Sequence, residues 1–341
     1  MTTHIVIMAG GIGSRFWPMS TPEYPKQFID VLGTGRTLIQ MTYDRLAPIC
    51  SPDNIWVVTS EAYVHLVAEQ LPQVPGSNII AEPASRNTAP CIALASWRIR
   101  SICEDANIIV TPADALVLDV AEYRRVLTRA LSFTDSSDAI VTVGIKPIRP
   151  ETGYGYIQTA DGDDEIIKVR TFKEKPDLVT ARSYLAAGGY LWNAGIFVWQ
   201  LSTIIEALRR YAPAIAGLSD EMAAAGFLPD AVAKLFPLCP KISIDYAVME
   251  KHPRIFTITG DFGWSDLGTW GSLLQNSERD DMGNAVIGDG VSMNGCSDCV
   301  VRVTGLEKVV VEGLHGYIVA HKDGRLLVCR LEEEQRIKDF L

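Results

Sequence analysis

The chain has 341 residues, 48% of them hydrophobic and 21% charged, with a formal net charge of −10. So acidic a chain does not suit nonspecific binding to nucleic acid or an anionic membrane, and any phosphate site must be a local cationic pocket. No apolar run reaches the roughly 18 residues of a membrane helix, and no basic segment precedes the short N-terminal apolar run as in a signal peptide. The expectation is a cytoplasmic globular protein of two or so domains, with no nucleic-acid partner and no membrane partner.

Residues 1–145 read as strand–helix repeats. Expected strands cover 5–8, 55–59, 78–81, 108–111 and 139–143, all short, continuously apolar and rich in β-branched residues, as strands covered on both faces should be. Helical stretches fall near 38–47, 61–70, 88–103 and 120–133. Alternating βα units imply a parallel, doubly wound sheet with ligands at the carboxyl ends of its strands. From 146 to 275 the pattern is mixed, with strands expected at 190–200 and 254–260 and helices at 201–211 and 244–251. Beyond that, short apolar strands at 283–290, 299–304, 308–311, 317–320 and 326–330 suggest a small β appendix closed by a charged helix at 332–340.

Residues 9–28, AGGIGSRFWPMSTPEYPKQF, follow the first expected strand. Gly10, Gly11 and Gly13 let backbone N–H groups approach an anion, because no Cβ stands in the way. Arg15 and Lys26 add two positive charges, which suits a polyphosphate better than a neutral ligand. For the glycines alone, a plain βα turn that only needs positive φ is the other reading. The dinucleotide fingerprint G-x-G-x-x-G fails, since Phe16 stands where its third glycine belongs, and this argues against an NAD-type dehydrogenase. Gly33-Thr-Gly35-Arg36-Thr37 has the look of a short phosphate turn.

The stretch GGIGSRFWPMS…PKQF closely resembles the nucleotide-binding signature of the sugar-1-phosphate nucleotidylyltransferases. Its Phe16-Trp17-Pro18-x-Ser20 and Pro25-Lys26-Gln27-Phe28 details resemble the mannose-1-phosphate guanylyltransferase branch. The likeness recurs in order at 82–90, 111–114, 144–157, 172–176, 192–195 and 263–268, so it spans nearly the whole chain. It implies an α/β fold: a Rossmann-like, doubly wound, mostly parallel sheet of the nucleotidyltransferase (GT-A-like) kind, with a C-terminal β appendix resembling a short left-handed β-helix. The catalytic domain would then be 1–275, divided into a nucleotide-binding half, 1–145, and a sugar-phosphate-binding half, 146–275; the appendix would be 276–341. Some relatives carry a further sugar-isomerase domain, which the chain is expected to lack.

The activity implied is transfer of GMP from GTP to α-D-mannose 1-phosphate, giving GDP-mannose and pyrophosphate. The attacking phosphate is already ionised, so no protein nucleophile or general base is needed. The work is to hold two repelling anions in line and to neutralise the leaving group. By analogy with phosphoryl transfer this calls for glycine N–H groups, Arg or Lys, and Mg²⁺ on carboxylates. Asp114 and Asp266 match the family's metal-binding aspartates; read alone, Asp114 is equally a cap or turn residue. Relatives commonly have His after Pro-Ala-Asp, where this chain has Ala115. Arg15 and Lys26 would contact the triphosphate.

The segment from Glu82 through Asn87 and Thr88 would hold purine and ribose, with an acceptor near Glu82 for guanine N1 and N2; Asn87 or Thr88 also reads as a plain N-cap. The sugar side would rest on Gly155, Glu174, Lys175 and Asn193, although Glu-Lys-Pro alone is an ordinary surface charge run. A homodimer through the β tail is also implied. A sister enzyme with another base or sugar, or a nucleotide-sugar-binding subunit without catalysis, are the alternatives; retention of Arg15, Lys26, Asp114 and Asp266 argues against the second. Cys296-x-x-Cys299 would need further ligands to hold zinc, and buried thiols are expected instead.

Overall fold

The computed structural model describes residues 1–11, 14–162 and 164–340; Gly13 lies outside the described residues. The chain starts with β1 (Thr2–Met8), α1 (Leu38–Leu46), β2 (Ile55–Ser60), α2 (Val64–Gln70), β3 (Ile79–Glu82) and α3 (Thr88–Arg100). It continues with β4 (Ala106–Pro112), α4 (Val120–Thr134), β5 (Ile140–Ile145), β6 (Tyr156–Thr159), β7 (Ile166–Lys173) and α5 (Leu178–Ala187). Then come β8 (Tyr190–Gln200), α6 (Leu201–Tyr211), α7 (Pro213–Ala224), α8 (Pro229–Leu235), β9 (Ile255–Gly260) and α9 (Trp270–Gln275). The tail holds β10 (Ala285–Ile287), β11 (Val291–Asn294), β12 (Val300–Val303), β13 (Val309–Glu312), β14 (Tyr317–Lys322), β15 (Arg325–Arg330) and a 3-10 helix at Leu331–Phe340. Two compact units result: Met1–Gly10, Asp44–Pro112 and Val117–Trp264 make the first, and Gly11–Tyr43, Ala113–Leu116 and Ser265–Leu341 the second.

The first unit is built on one nine-stranded sheet in the order β3-β2-β1-β4-β8-β5-β9-β7-β6. β3, β2, β1 and β4 pair in parallel, and the central residues of β2, β1 and β4 are buried on both faces, which is why these three strands lack a polar alternation. β8 runs antiparallel to β4 and β5, and β7 antiparallel to β6 and β9, so the second half of the sheet is mixed. α3, α6 and α7 cover one face through Trp97, Leu208 and Met222. Strands β6 and β7 and helices α5, α7 and α8 escaped the sequence reading. β7 is buried only at Ile166 and Phe172, with half-buried and exposed residues alternating between them, unlike the largely buried parallel strands. The helix expected at 244–251 is a π-helix over Asp245–Met249, a form that appears often at functional sites.

In the second unit, short strands stack in parallel. Ala285 pairs with Val300, Val300 with Ile318, and Val291 with Val309, while β15 closes the stack antiparallel to β14. Ala285, Val300 and Ile318 join Phe16, Leu38, Leu267 and Trp270 in one core, while Val301, Val311 and Val319 form a second with Cys296 and Cys299. Arg302 is buried and donates to the Asp30 carbonyl at 2.8 Å, tying the segment after the glycine stretch to the strand stack. The Gly33–Thr37 turn is not free for phosphate, since the Asp30 carboxylate already accepts the Thr34 and Gly35 N–H groups at 2.9 and 2.8 Å. Cys296 and Cys299 are buried and donate to backbone carbonyls, Cys296 to Asn294 and Cys299 to Ser297.

Candidate active-site residues

Lys26 organises one cluster in the second unit. Its side chain is buried, and Nζ lies 2.9 Å from Asp114 Oδ2, 2.7 Å from the Asp266 carbonyl oxygen and 3.2 Å from that of Leu267. A lysine ammonium has three hydrogens, so each has an acceptor. One cation therefore joins the segment after β4 to the loop before α9, where Leu116 and Ser265 also form a β-bridge. Asp114 is not a helix cap here: its carboxylate is 38% exposed and paired with Lys26. Asp266 Oδ1 accepts the Gly268 N–H at 3.0 Å. A Cβ at Gly268 would come within 2.5 Å of Asp266 Oδ2, so glycine is needed for room rather than for an unusual φ. Ala115 is buried. Arg15 is exposed in the 3-10 turn Ser14–Phe16, anchored by the Phe16 ring 5.2 Å from that of Trp270.

Neither Gly10 nor Gly11 has positive φ, so a turn does not explain them. Gly11 has open space where a Cβ would stand, and its carbonyl accepts from Gln27 Nε2 at 2.9 Å. In the first unit a Cβ at Gly10 would lie 3.4 Å from Glu82 Oε2. Glu82 ends β3 and is 8% exposed, and among the described residues its Oε1 has no hydrogen-bond partner. Burial pushes this carboxyl up to about 7, against a smaller downward pull from the Cys91 thiol. Asn87 sits at φ +68 and caps α3 by accepting the Thr88 N–H at 2.8 Å. Thr88 Oγ1 accepts the Ile244 N–H at 2.9 Å, and Ala89 N–H donates to Ile242 O. The capping reading of Asn87 thus holds, while Thr88 is tied to the Ile242–Ile244 strip.

The sugar-side residues also meet in the first unit. A bulge in the β5–β8 pairing between Thr142 and Gly144 sets Asn193 opposite Gly144. The Asn193 N–H donates to Gly155 O at 2.8 Å, and a Cβ at Gly155 would stand 2.6 Å from Glu174 Oε2. The Glu174 side chain is 7% exposed, with Oε1 2.5 Å from Lys175 Nζ. Burial works against the Lys175 charge, but Glu174 and then Asp245 overcome it and hold the ammonium above its usual range. Lys175 sits at φ +45, in the left-handed region.

Asp245 was not foreseen. Its Oδ1 accepts from Asn193 Nδ2 at 3.1 Å, and burial, reinforced by the Glu174 charge, raises its carboxyl to about 6. An acid in an apolar run, Ser243-Ile-Asp245-Tyr-Ala-Val, was the available signal. The Tyr154 ring beside Gly155 meets Trp192 and Trp264 edge-on at 5.2 and 5.3 Å.

A family model described as nucleotidyl transferase matches residues 4–282. The xanthan biosynthesis protein XanB of Xanthomonas campestris pv. campestris is 38% identical over 98% of this chain and 72% of its own length. A mannose-1-phosphate guanylyltransferase of Escherichia coli is 36% identical, over 98% of this chain and 74% of its own. Among solved structures, a mannose-1-phosphate geranyltransferase from Thermus thermophilus is 31% identical with a TM-score of 0.90, covering 100% of this chain and 98% of that one. No helix among the described residues is long and apolar enough to cross a membrane.

Proposed function

Because the chain belongs to the nucleotidyl transferase family, we propose that it transfers GMP from GTP to α-D-mannose 1-phosphate, giving GDP-mannose and pyrophosphate. The observation that carries this is 36% identity over 98% of the chain to a mannose-1-phosphate guanylyltransferase. The sugar phosphate oxygen attacks the α-phosphorus in line, the bond to the β-phosphate bridging oxygen breaks, and pyrophosphate leaves with its electron pair.

Glu82 accepts from guanine N1 and N2, and Asn87 and Thr88 hold the ribose side. Gly10, Gly11, Gly13 and Arg15 receive the triphosphate. Lys26 holds Asp114 and the Asp266 loop together and supplies positive charge. Gly155, Glu174, Lys175 and Asn193 take the sugar phosphate, with Lys175 facing its phosphate.

The donor set fits Mg²⁺. Mg²⁺ takes one or two carboxylates and fills its remaining positions with waters and phosphates. Among the described residues no cluster of three or more acidic, His or Cys side chains is gathered for a metal, whereas Asp114 and Asp266 lie on two segments joined by one lysine. When bound, the ion would neutralise phosphate charge; Asp114 and Asp266 would hold it.

Catalysis is assigned to 1–275 in the cytoplasm. The tail, 276–341, is read as a short left-handed β-helix that supports a homodimer; its repeated parallel pairings favour a β-helix. The deciding experiment is a screen of GTP, ATP, UTP and dTTP against mannose 1-phosphate and glucose 1-phosphate with Mg²⁺, read by pyrophosphate release. GTP with mannose 1-phosphate should be fastest; a faster pair overturns the specific assignment.

A further inference from the structure

Asn193 is held by partners that fix which way its amide faces. An Asn amide has two donor hydrogens on Nδ2 and two acceptor sites on Oδ1. Oδ1 accepts from Thr142 Oγ1 at 2.9 Å and from the Gly195 N–H at 3.2 Å. Nδ2 donates to Asp245 Oδ1 at 3.1 Å. The Thr142 hydroxyl can donate or accept and so decides nothing alone. The Gly195 N–H can only donate, and an ionised carboxylate can only accept. Those two one-way partners exclude the flipped amide. Among the described residues, Oδ1 is then fully used and a single Nδ2 hydrogen is left over.

Asp245 is itself anchored. The Ile244 N–H before it is bound by Thr88 Oγ1 at 2.9 Å, and Ile242 O takes the Ala89 N–H at 3.1 Å. Asp245 then opens the π-helix over Asp245–Met249, whose Ala247, Val248 and Met249 are buried. The carboxylate thus stands on a strip fastened to the start of α3 at one end and to the core at the other.

We propose that Asp245 is a positioning residue of the sugar-phosphate site, holding Asn193 so that it offers the hexose a hydrogen-bond donor and no acceptor. The acceptor for sugar hydroxyls is then Glu174, whose Oε2 lies beside Gly155. A hydroxyl facing Asn193 must then accept and one facing Glu174 must donate, which fixes how the hexose hydroxyls turn in the site. The inference rests on the proposed function for the identity of the sugar phosphate, but the state of Asn193 is readable without it.

The test combines kinetics with the side-chain amide signals of protein labelled with ¹⁵N-asparagine, the Asn193 pair being assigned by its loss in Asn193→Ala. Asp245→Ala should raise KM for mannose 1-phosphate by about tenfold or more, the scale of a lost charge-assisted hydrogen bond. KM for GTP should stay within about twofold, and the Asn193 pair should lose its distinct shift. Asp245→Asn keeps an oxygen acceptor, so it should restore the distinct pair and most of the sugar-phosphate KM. Asp245→Ser reads the same way as alanine if that variant does not fold. Unchanged Asn193 signals in Asp245→Ala, or changed signals with an unchanged sugar-phosphate KM, overturn the proposal. A wild-type enzyme that turns over no mannose 1-phosphate sinks the functional reading instead, and the amide signals still decide whether Asp245 orients Asn193.

Discussion

Lys26 Nζ lies 2.9 Å from Asp114 Oδ2 and 2.7 Å from the carbonyl oxygen of Asp266, so one buried ammonium bonds both segments that carry the proposed metal carboxylates. From the sequence alone Lys26 is a phosphate contact, and its removal should leave folding nearly unchanged. The burial of Nζ and its three acceptors give it a structural role as well.

Lys26→Met therefore should do two things. It strands the Asp266 and Leu267 carbonyls and unpairs Asp114, which should cost about 1–3 kcal/mol of stability. It should also lower turnover by about 10²–10³, the scale of one lost electrostatic stabiliser. Thermal melting and pyrophosphate release measure the two effects separately, and a variant with full activity would remove Lys26 from the machinery.

Asp266→Asn should separate charge from structure. The amide oxygen can still accept the Gly268 N–H, so that bond is kept and stability should fall less than in Lys26→Met. Turnover should fall by about 10²–10³. A large loss of stability with unchanged turnover per folded molecule would assign Asp266 to the fold alone.

Gly155→Ala places a methyl group 2.6 Å from Glu174 Oε2. The carboxylate must move, and KM for mannose 1-phosphate should rise by about tenfold, as for a lost hydrogen bond to a charged group. KM for GTP should not change. Equal increases in both constants would show that Glu174 does not serve the sugar side.

The pH dependence of stability should carry the mark of Glu82. Its carboxyl is raised from 4.5 in the unfolded chain to about 7 in the fold, so the native state binds the proton more tightly. The stabilisation from that proton is fully present below pH 4.5 and is lost as pH rises through about 7. Its size is about 3 kcal/mol at most, from the difference between the two values. Glu82→Gln removes the titration, so denaturant melts from pH 5 to 8 should show a flatter slope for the variant. If the carboxylate reads guanine, wild-type KM for GTP should also rise as pH falls below about 7. A slope identical in the two proteins would contradict the raised carboxyl.

The parallel half of the first unit was legible because its signal is local. Each of β1, β2, β4 and β5 is built around apolar, mostly β-branched residues, and such a segment must be covered on both faces. β7 and α7 were not, because β7 buries only Ile166 and Phe172 and carries charges between them, and α7 is alanine-rich with little contrast between its sides. Motif residues were visible as residues but not as contacts. Gly155 and Gly268 look like turn glycines in sequence, yet both make room for a carboxylate, those of Glu174 and Asp266.

Sequence alone determined the family, the order of the motifs and which side chains carry charge, since these depend on residue type and spacing along the chain. Tertiary structure decided what each charge meets. Lys26 bonds to groups 240 and 241 residues away, and Asn193 takes its orientation from an aspartate 52 residues on. Hydrogen-bond energy depends on ångström distances and on the loss of water around the pair. Neither quantity is written in a one-dimensional pattern until folding brings those backbones together.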